Sequence, residues 1–281
     1  MPNLALRPKS DLSSFRVIAL GTWVTTKDPS IYGSLEVPAD EMMSYIRAFR
    51  ERTGLRLTLT HVMAKVMARV FQAMPDANAI LRFNRIYLRD EIALSFQVAM
   101  SDPETGQIDL SALTLRRPDT KSLREIVEEF EVVAEKIRTG KDKEKEETRR
   151  TFQRVPTWLV GSLLDLISWL TYGLNLDLSR LGIPRDLFGS AMITNVGSLG
   201  LKTAYAPLVP YSRVPMVIAV GAIEKKPIVT DDDTIEVGHT LGLHATLDHR
   251  ILDGAHAATM ARVVQQIFAD PWSHLDALPE A

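Results

Sequence analysis

Asp248-His249-Arg250-Ile251-Leu252-Asp253-Gly254 closes one element of the chain and opens the next, and the fold is read outward from it. Before it, Thr240 to Leu247 (TLGLHATL) reads as a strand. After it, Gly254 to Phe268 carries Ala257, Met260, Ala261, Val264, Ile267 and Phe268 at helical spacing, with Pro271 beyond the helix end. A strand-to-helix junction holds a side chain rigidly at the end of a sheet, which suits a general base. Imidazole has the unperturbed pKa to remove a proton near neutrality. Asp253 can fix the turn, for instance by pairing with an arginine, and Gly254 allows close backbone approach where the helix begins. On these residues alone, a histidine merely satisfied in a turn is the commoner reading.

Upstream, the chain alternates helix and strand signals. Tyr32 to Val37 (YGSLEV) reads as a strand, and Pro38 sits where a helix can start. Ala39 to Glu51 carries Met42, Met43, Ile46 and Phe49 at helical spacing, and Gly54 stops that helix. Leu59 to Met74 is a second amphipathic helix, ended by Pro75. Arg85 to Leu88 and Ile92 to Met100 read as strands around a hairpin turn at Arg89-Asp90-Glu91. Ser122 and Glu125 have the spacing of a capping box before the helix that runs through Ile137. Past Pro184, Ser190 to Val196 and Met216 to Ile223 are strand-like, with turns at Asn195-Val196-Gly197 and Asp231-Asp232-Asp233. Strands on a sheet with helices over one face predict an α/β or α+β sandwich.

Composition narrows the chemistry. The 281 residues hold 33 Lys+Arg against 35 Asp+Glu, so there is no basic surplus to hold a nucleic acid backbone. With Cys 0, disulfides, cysteine metal sites and a cysteine nucleophile are excluded. No histidine set has metal-ligand spacing, so no metal is expected. His244 reads as a packing residue, His256 as a surface or interface residue, and His61, His239 and His274 have no partner pattern. The N-terminus lacks the apolar core of a secretory signal, which points to a cytoplasmic protein.

Two neighbouring stretches stand apart. Residues 140–154 (GKDKEKEETRRTFQR) mix both charge signs, as a solvated helix face with i,i+4 pairs does; an anionic-ligand or membrane-surface patch is the alternative. Val155 to Leu174 (VPTWLVGSLLDLISWLTYGL) is apolar except at Ser162, Asp165, Ser168 and Thr171, which recur every third residue and so span one side of a helix. Three readings stand: a helix buried in the fold or in a subunit interface, a lid over a hydrophobic tunnel, and an interfacial membrane helix. Asp165 in mid-segment argues against a span.

The run DHRILDGAHAATMARVVQQIFADP resembles the C-terminal signature of the 2-oxo acid dehydrogenase acyltransferases, Asp-His-Arg-x-x-Asp-Gly-Ala, a family within the chloramphenicol acetyltransferase-like superfamily. Other segments in the same order are similar to family motifs: Met74-Pro75-Asp76-Ala77-Asn78, Met192 to Gly200 (MITNVGSLG), Pro215 to Val229 and, near the start, Ser13 to Ala19. The resemblance implies a chloramphenicol acetyltransferase-like sandwich, a mixed sheet with helices packed on one face. It implies that His249 is the base and that the Thr194 hydroxyl stabilises the oxyanion. Asp253 matches the motif carboxylate that positions the loop, with Arg250, Gly254 and Asn195 in support. It implies coenzyme A as acyl carrier and an active site between subunits of a homotrimer, with the base and the hydroxyl on different chains.

The resemblance also marks departures. No lipoyl or peripheral-subunit-binding domain is expected, so residues 1–281 read as one catalytic domain with a helical apolar insertion at about 151–187. The family's Pro-His-Val-Thr is here Pro29-Ser30-Ile31-Tyr32, and its Gly-Leu-x-Val-Pro-Val is here Gly106 to Ser111, which leaves the acceptor open. The leading expectation is a CoA-dependent acyltransferase acting on a thiol, hydroxyl or amine. The others are a catalytic core working with lipoyl proteins in trans, and a non-catalytic trimeric or cage scaffold. The intact His249–Thr194 pair argues against the scaffold, and the weakly apolar Leu275 to Glu280 favours a trimer over a larger cage.

Overall fold

A computed structural model describes residues 29–83, 85–101, 108–138, 155–230 and 232–278. The segment 13–19 and the charged run 140–154 lie outside the described residues. Strand β1 (Ser30–Pro38) leads to helices α1 (Asp40–Thr53) and α2 (Leu59–Ala73). Four strands follow: β2 (Ala79–Arg82), β3 (Arg85–Leu88), β4 (Ala93–Ser101) and β5 (Ile108–Arg116). Then come α3 (Leu123–Arg138), α4 (Thr157–Ser168), β6 (Ala191–Asn195), β7 (Met216–Val229), β8 (Ile235–Asp248), α5 (Gly254–Ala269) and the short α6 (Pro271–His274).

Six strands form one mixed sheet in the order β1-β8-β7-β6-β4-β5. The β7–β6 and β6–β4 pairs are parallel and the others antiparallel. Strand alternation sends Ile193, Ile218, Val220 and Leu243 to one face, where Val66 and Val70 of α2, Phe130 of α3 and Val264 and Phe268 of α5 complete the core. The opposite face carries Met192 and Val217 in a separate small cluster with Val214 and Phe188. This is the mixed sheet with helices on one face that the sequence predicts.

Several expectations change. The Arg89-Asp90-Glu91 segment is not a hairpin turn: β3 pairs back onto β2, while β4 pairs with β5 and β6. The Asn78 amide donates to the carbonyls of Arg89 and Glu91, which lets this strip cross from the small sheet to the large one. Pro38 starts no helix; it is the last residue of β1, opposite Thr240. The Ser122–Glu125 capping box is present, with Ser122 N–H donating to Glu125 at 2.7 Å. His61 and His239 do have partners: His61 stacks edge-on against Phe130, and His239 meets Asp40 at 2.6 Å. Those two contacts are long-range, but His61 Nδ1 also accepts the Thr58 N–H at 3.2 Å, a local capping contact.

The apolar segment is a helix, but it is not buried in this chain. Only Val160, Leu164 and Ser168 of α4 are buried, beside Tyr211, whereas Trp158 is 79% exposed and Leu166 and Trp169 are exposed too. Nor do its polar residues share one side: Ser168 faces inward and receives the Arg213 Nε–H at 3.0 Å. A three-residue step rotates about 60° backwards, so after two steps the polar row has left its first face. No helix among the described residues is long and apolar enough to cross a membrane.

Candidate active site

The turn between β8 and α5 is fixed from several sides. The amides of Ile251 and Leu252 both donate to the Asp248 carbonyl at 2.9 Å, and Leu252 is fully buried. The His249 N–H donates to Pro29 O at 3.0 Å, tying the turn to the start of β1. The imidazole itself is exposed, and its Nδ1 lies 2.9 Å from Leu252 O. A carbonyl only accepts, so Nδ1 carries the hydrogen. In the neutral ring, Nε2 is then the free basic nitrogen. Backbone geometry therefore sets the tautomer that a base needs.

The supporting residues divide differently from the sequence expectation. Arg250 pairs with Asp248, not Asp253: its guanidinium meets both Asp248 oxygens at 2.6–3.2 Å. Asp253 is occupied as the N-cap of α5, where one carboxylate oxygen accepts from Ala255 N–H at 2.9 Å and His256 N–H at 3.1 Å. Hydrogen bonds from the His256 backbone and ring hold the Asp253 carboxyl below its usual range. Gly254 does not mark a close approach within this chain, since a Cβ there would meet nothing within 4 Å.

Thr194 is the last residue but one of β6, half-buried, and its hydroxyl makes no hydrogen bond among the described residues. The next turn is tightly built. Asn195 Oδ1 accepts from Ser198 N–H at 3.1 Å, Ser198 Oγ–H donates back to Asn195 O at 2.7 Å, and Asn195 Nδ2 donates to Thr60 Oγ1 at 3.1 Å. Gly197 is required here: a Cβ would sit 2.3 Å from the Gly221 carbonyl oxygen. Gly200 adopts φ +80°, a left-handed conformation that glycine tolerates. Thr60, which anchors Asn195 to α2, is a site residue the sequence reading missed; it has no motif of its own.

The sheet register shows how far apart the two candidate groups lie. Thr194 is level with Ala219 on β7, which is level with His244 on β8. His249 lies five residues beyond His244, roughly 17 Å along the strand and two strand spacings, or roughly 10 Å, across. Thr194 and His249 are therefore not brought together within one chain. His244, between them, is satisfied: Nε2–H donates to Lys202 O at 3.1 Å, leaving Nδ1 to accept from Ser34 Oγ at 3.0 Å. Among the described residues, no group of three His, Asp or Glu could hold a metal.

Comparison with known proteins adds an independent line. The chain matches the family model described as 2-oxoacid dehydrogenases acyltransferase (catalytic domain) over residues 22–153 and 184–275. It is 23% identical over 247 residues to the lipoamide acyltransferase component of the branched-chain alpha-keto acid dehydrogenase complex of Bacillus subtilis, covering 86% of this chain and 47% of that protein. The chain thus spans about half the length of the curated relatives it matches. Among solved structures, a probable dihydrolipoamide acetyltransferase from Listeria monocytogenes superposes with a TM-score of 0.70 at 20% identity, covering 97% of this chain and 99% of that one. The dihydrolipoamide acetyltransferase of Azotobacter vinelandii gives 0.70 at 19% identity, over 98% of each chain.

Proposed function

Since the chain belongs to the 2-oxoacid dehydrogenase acyltransferase family, we propose that it moves an acyl group between coenzyme A and a thiol, hydroxyl or amine acceptor. His249 Nε2 takes the acceptor's proton as the acceptor atom attacks the thioester carbonyl. The Thr194 hydroxyl donates to the oxyanion that forms. The tetrahedral intermediate then collapses, the carbon–sulfur bond breaks, and the CoA thiolate leaves with the proton from Nε2. The observation that carries this reading is the His249 Nδ1–H bond to Leu252 O, which leaves Nε2 as the basic atom.

A serine, a histidine and an asparagine are studied in the mechanism of the Azotobacter vinelandii enzyme, the last two four residues apart. His249 and Asp253 have the same spacing, which supports the alignment of the base; Asp253 here serves the α5 cap. Because Thr194 and His249 lie on distant strand ends, we place the working site between chains of a homotrimer, with the base and the hydroxyl from different copies. Residues 151–187 we read as an insertion, supported by a family match that passes over 154–183.

A second reading, that the acceptor is a dihydrolipoyl thiol supplied by another protein, is favoured by the names of the relatives, several of which are dihydrolipoyllysine-residue acyltransferases. His249→Ala should lower acyl-CoA turnover by about 10³-fold with the oligomer unchanged in sedimentation. Turnover within a few-fold of wild type would remove His249 from the mechanism.

A further inference from the structure

Between α5 and the sheet lies a cavity of about 280 Å³. It arises because small residues face small residues. Gly33 of β1 and Ala245 of β8 are cross-strand partners, and α5 presents Ala257, Ala258 and Ala261 over them. Protein cores normally set large against small and leave few voids, because an unfilled hollow costs stability. Here Met63 and Met67 of α2, Met216 of β7 and Met260 of α5 are among the further wall residues and do not close the space. Methionines are flexible and adapt to apolar guests of different shape. The cavity wall is almost wholly carbon, and Gly33 and Ala258 at its mouth are exposed.

Its position relates it to the chemistry. Two of its walls, β8 and α5, are the elements that the His249 turn joins. Leu247, two residues before His249, and Ala257, near the start of α5, both line it. Taking the proposed acyl transfer as given, we propose that this cavity receives the hydrocarbon part of the transferred acyl group, so that the substrate is a medium-chain apolar acyl thioester rather than an acetyl one. At ~30 Å³ for each water-sized volume, the space accepts up to roughly nine such units. A two-carbon group leaves it empty, and a carboxylated acyl group would bury its charge against carbon at high cost.

The test uses the whole chain with acetyl-, octanoyl- and dodecanoyl-CoA, measuring dissociation constants by calorimetry and transfer rates with a small dithiol, an alcohol and an amine as acceptors. Octanoyl-CoA should bind at least tenfold more tightly than acetyl-CoA. Ala258→Leu, which fills the mouth with a good helix former, should reduce that preference to under about twofold. Met67→Ala, which enlarges the space, should instead shift the preference toward dodecanoyl-CoA, and it carries the test if the first variant misfolds by circular dichroism. Equal affinity for acetyl- and octanoyl-CoA in the wild type, or a preference that neither variant alters, would overturn the proposal. Chain-length-dependent binding without transfer of any acyl group would sink the acyltransferase reading and leave the cavity assignment standing. Transfer without chain-length preference would do the reverse.

Discussion

The turn that carries His249 and the helix α4 are opposites in how their residues are used. In the turn, nearly every polar group has a partner: Asp248 with Arg250, Asp253 with the α5 amides, His249 Nδ1 with Leu252 O. On and just after α4, several apolar side chains have none: Trp158, Leu166 and Trp169 face outward, while Val160 and Leu164 are covered, with Leu163 and Ile167 packed beside them. The turn lies inside the family match and α4 outside it. The difference teaches that the two regions answer to different constraints. The turn is complete as a geometry in one chain, and on the proposed mechanism its base works with the hydroxyl of another. Helix α4 is complete as a helix but not as a surface.

The sharpest way to break this contrast is at Thr194. If its free hydroxyl serves the oxyanion, Thr194→Ala should cost about 10²–10³-fold in kcat, while Thr194→Ser retains most of the rate. Equal rates for Ala and wild type in a steady-state assay would reduce Thr194 to a strand-end residue. A smaller effect is expected from His61, in the core that supports Asn195 through α2. Burial, the main cause, pushes the His61 pKa down to about 4, and its Nδ1 accepts the Thr58 N–H in a helix-capping contact. The folded pKa lies below the unfolded value, so the unfolded state binds the proton more readily. Stability present above about pH 6.5 is therefore lost as pH falls toward 4, by about 2–3 kcal/mol. Denaturant melts of wild type and His61→Asn across that window should show a steeper loss in the wild type. The smallest effect on chemistry belongs to α4. The double change Trp158→Ser and Trp169→Ser should leave transfer within about twofold, as exposed substitutions do, yet raise solubility or alter elution volume. A large loss of transfer would place α4 in the working site.

The same contrast explains what the sequence made readable. The site turn was legible because its signals are local: a strand, a histidine, a capping aspartate and an apolar helical stripe lie within thirty consecutive residues. Even there, the arginine's partner was misjudged, because Asp248 and Asp253 are both within reach in sequence and only the α5 amide geometry decides between them. The β2–β3 pairing was missed because Ala79–Arg82 has only four residues, too few to show alternation. The second partner of β4, beside β5, is β6, almost a hundred residues on, which no local pattern encodes. The outward face of α4 was illegible for another reason. A helix apolar on most sides carries no periodic signal to say which side is covered.

One measurement tests the central claim, that the base and the oxyanion donor meet only between chains. His249→Ala and Thr194→Ala chains, each inactive alone, would be co-expressed with different tags, and hybrids carrying both tags assayed for acyl transfer. A site built from two copies can pair an intact His249 with an intact Thr194 across an interface, and each mixed trimer restores one of its three sites, so the doubly tagged hybrids should recover about a third of the wild-type rate. Hybrids that form and remain as inactive as either parent would contradict the account.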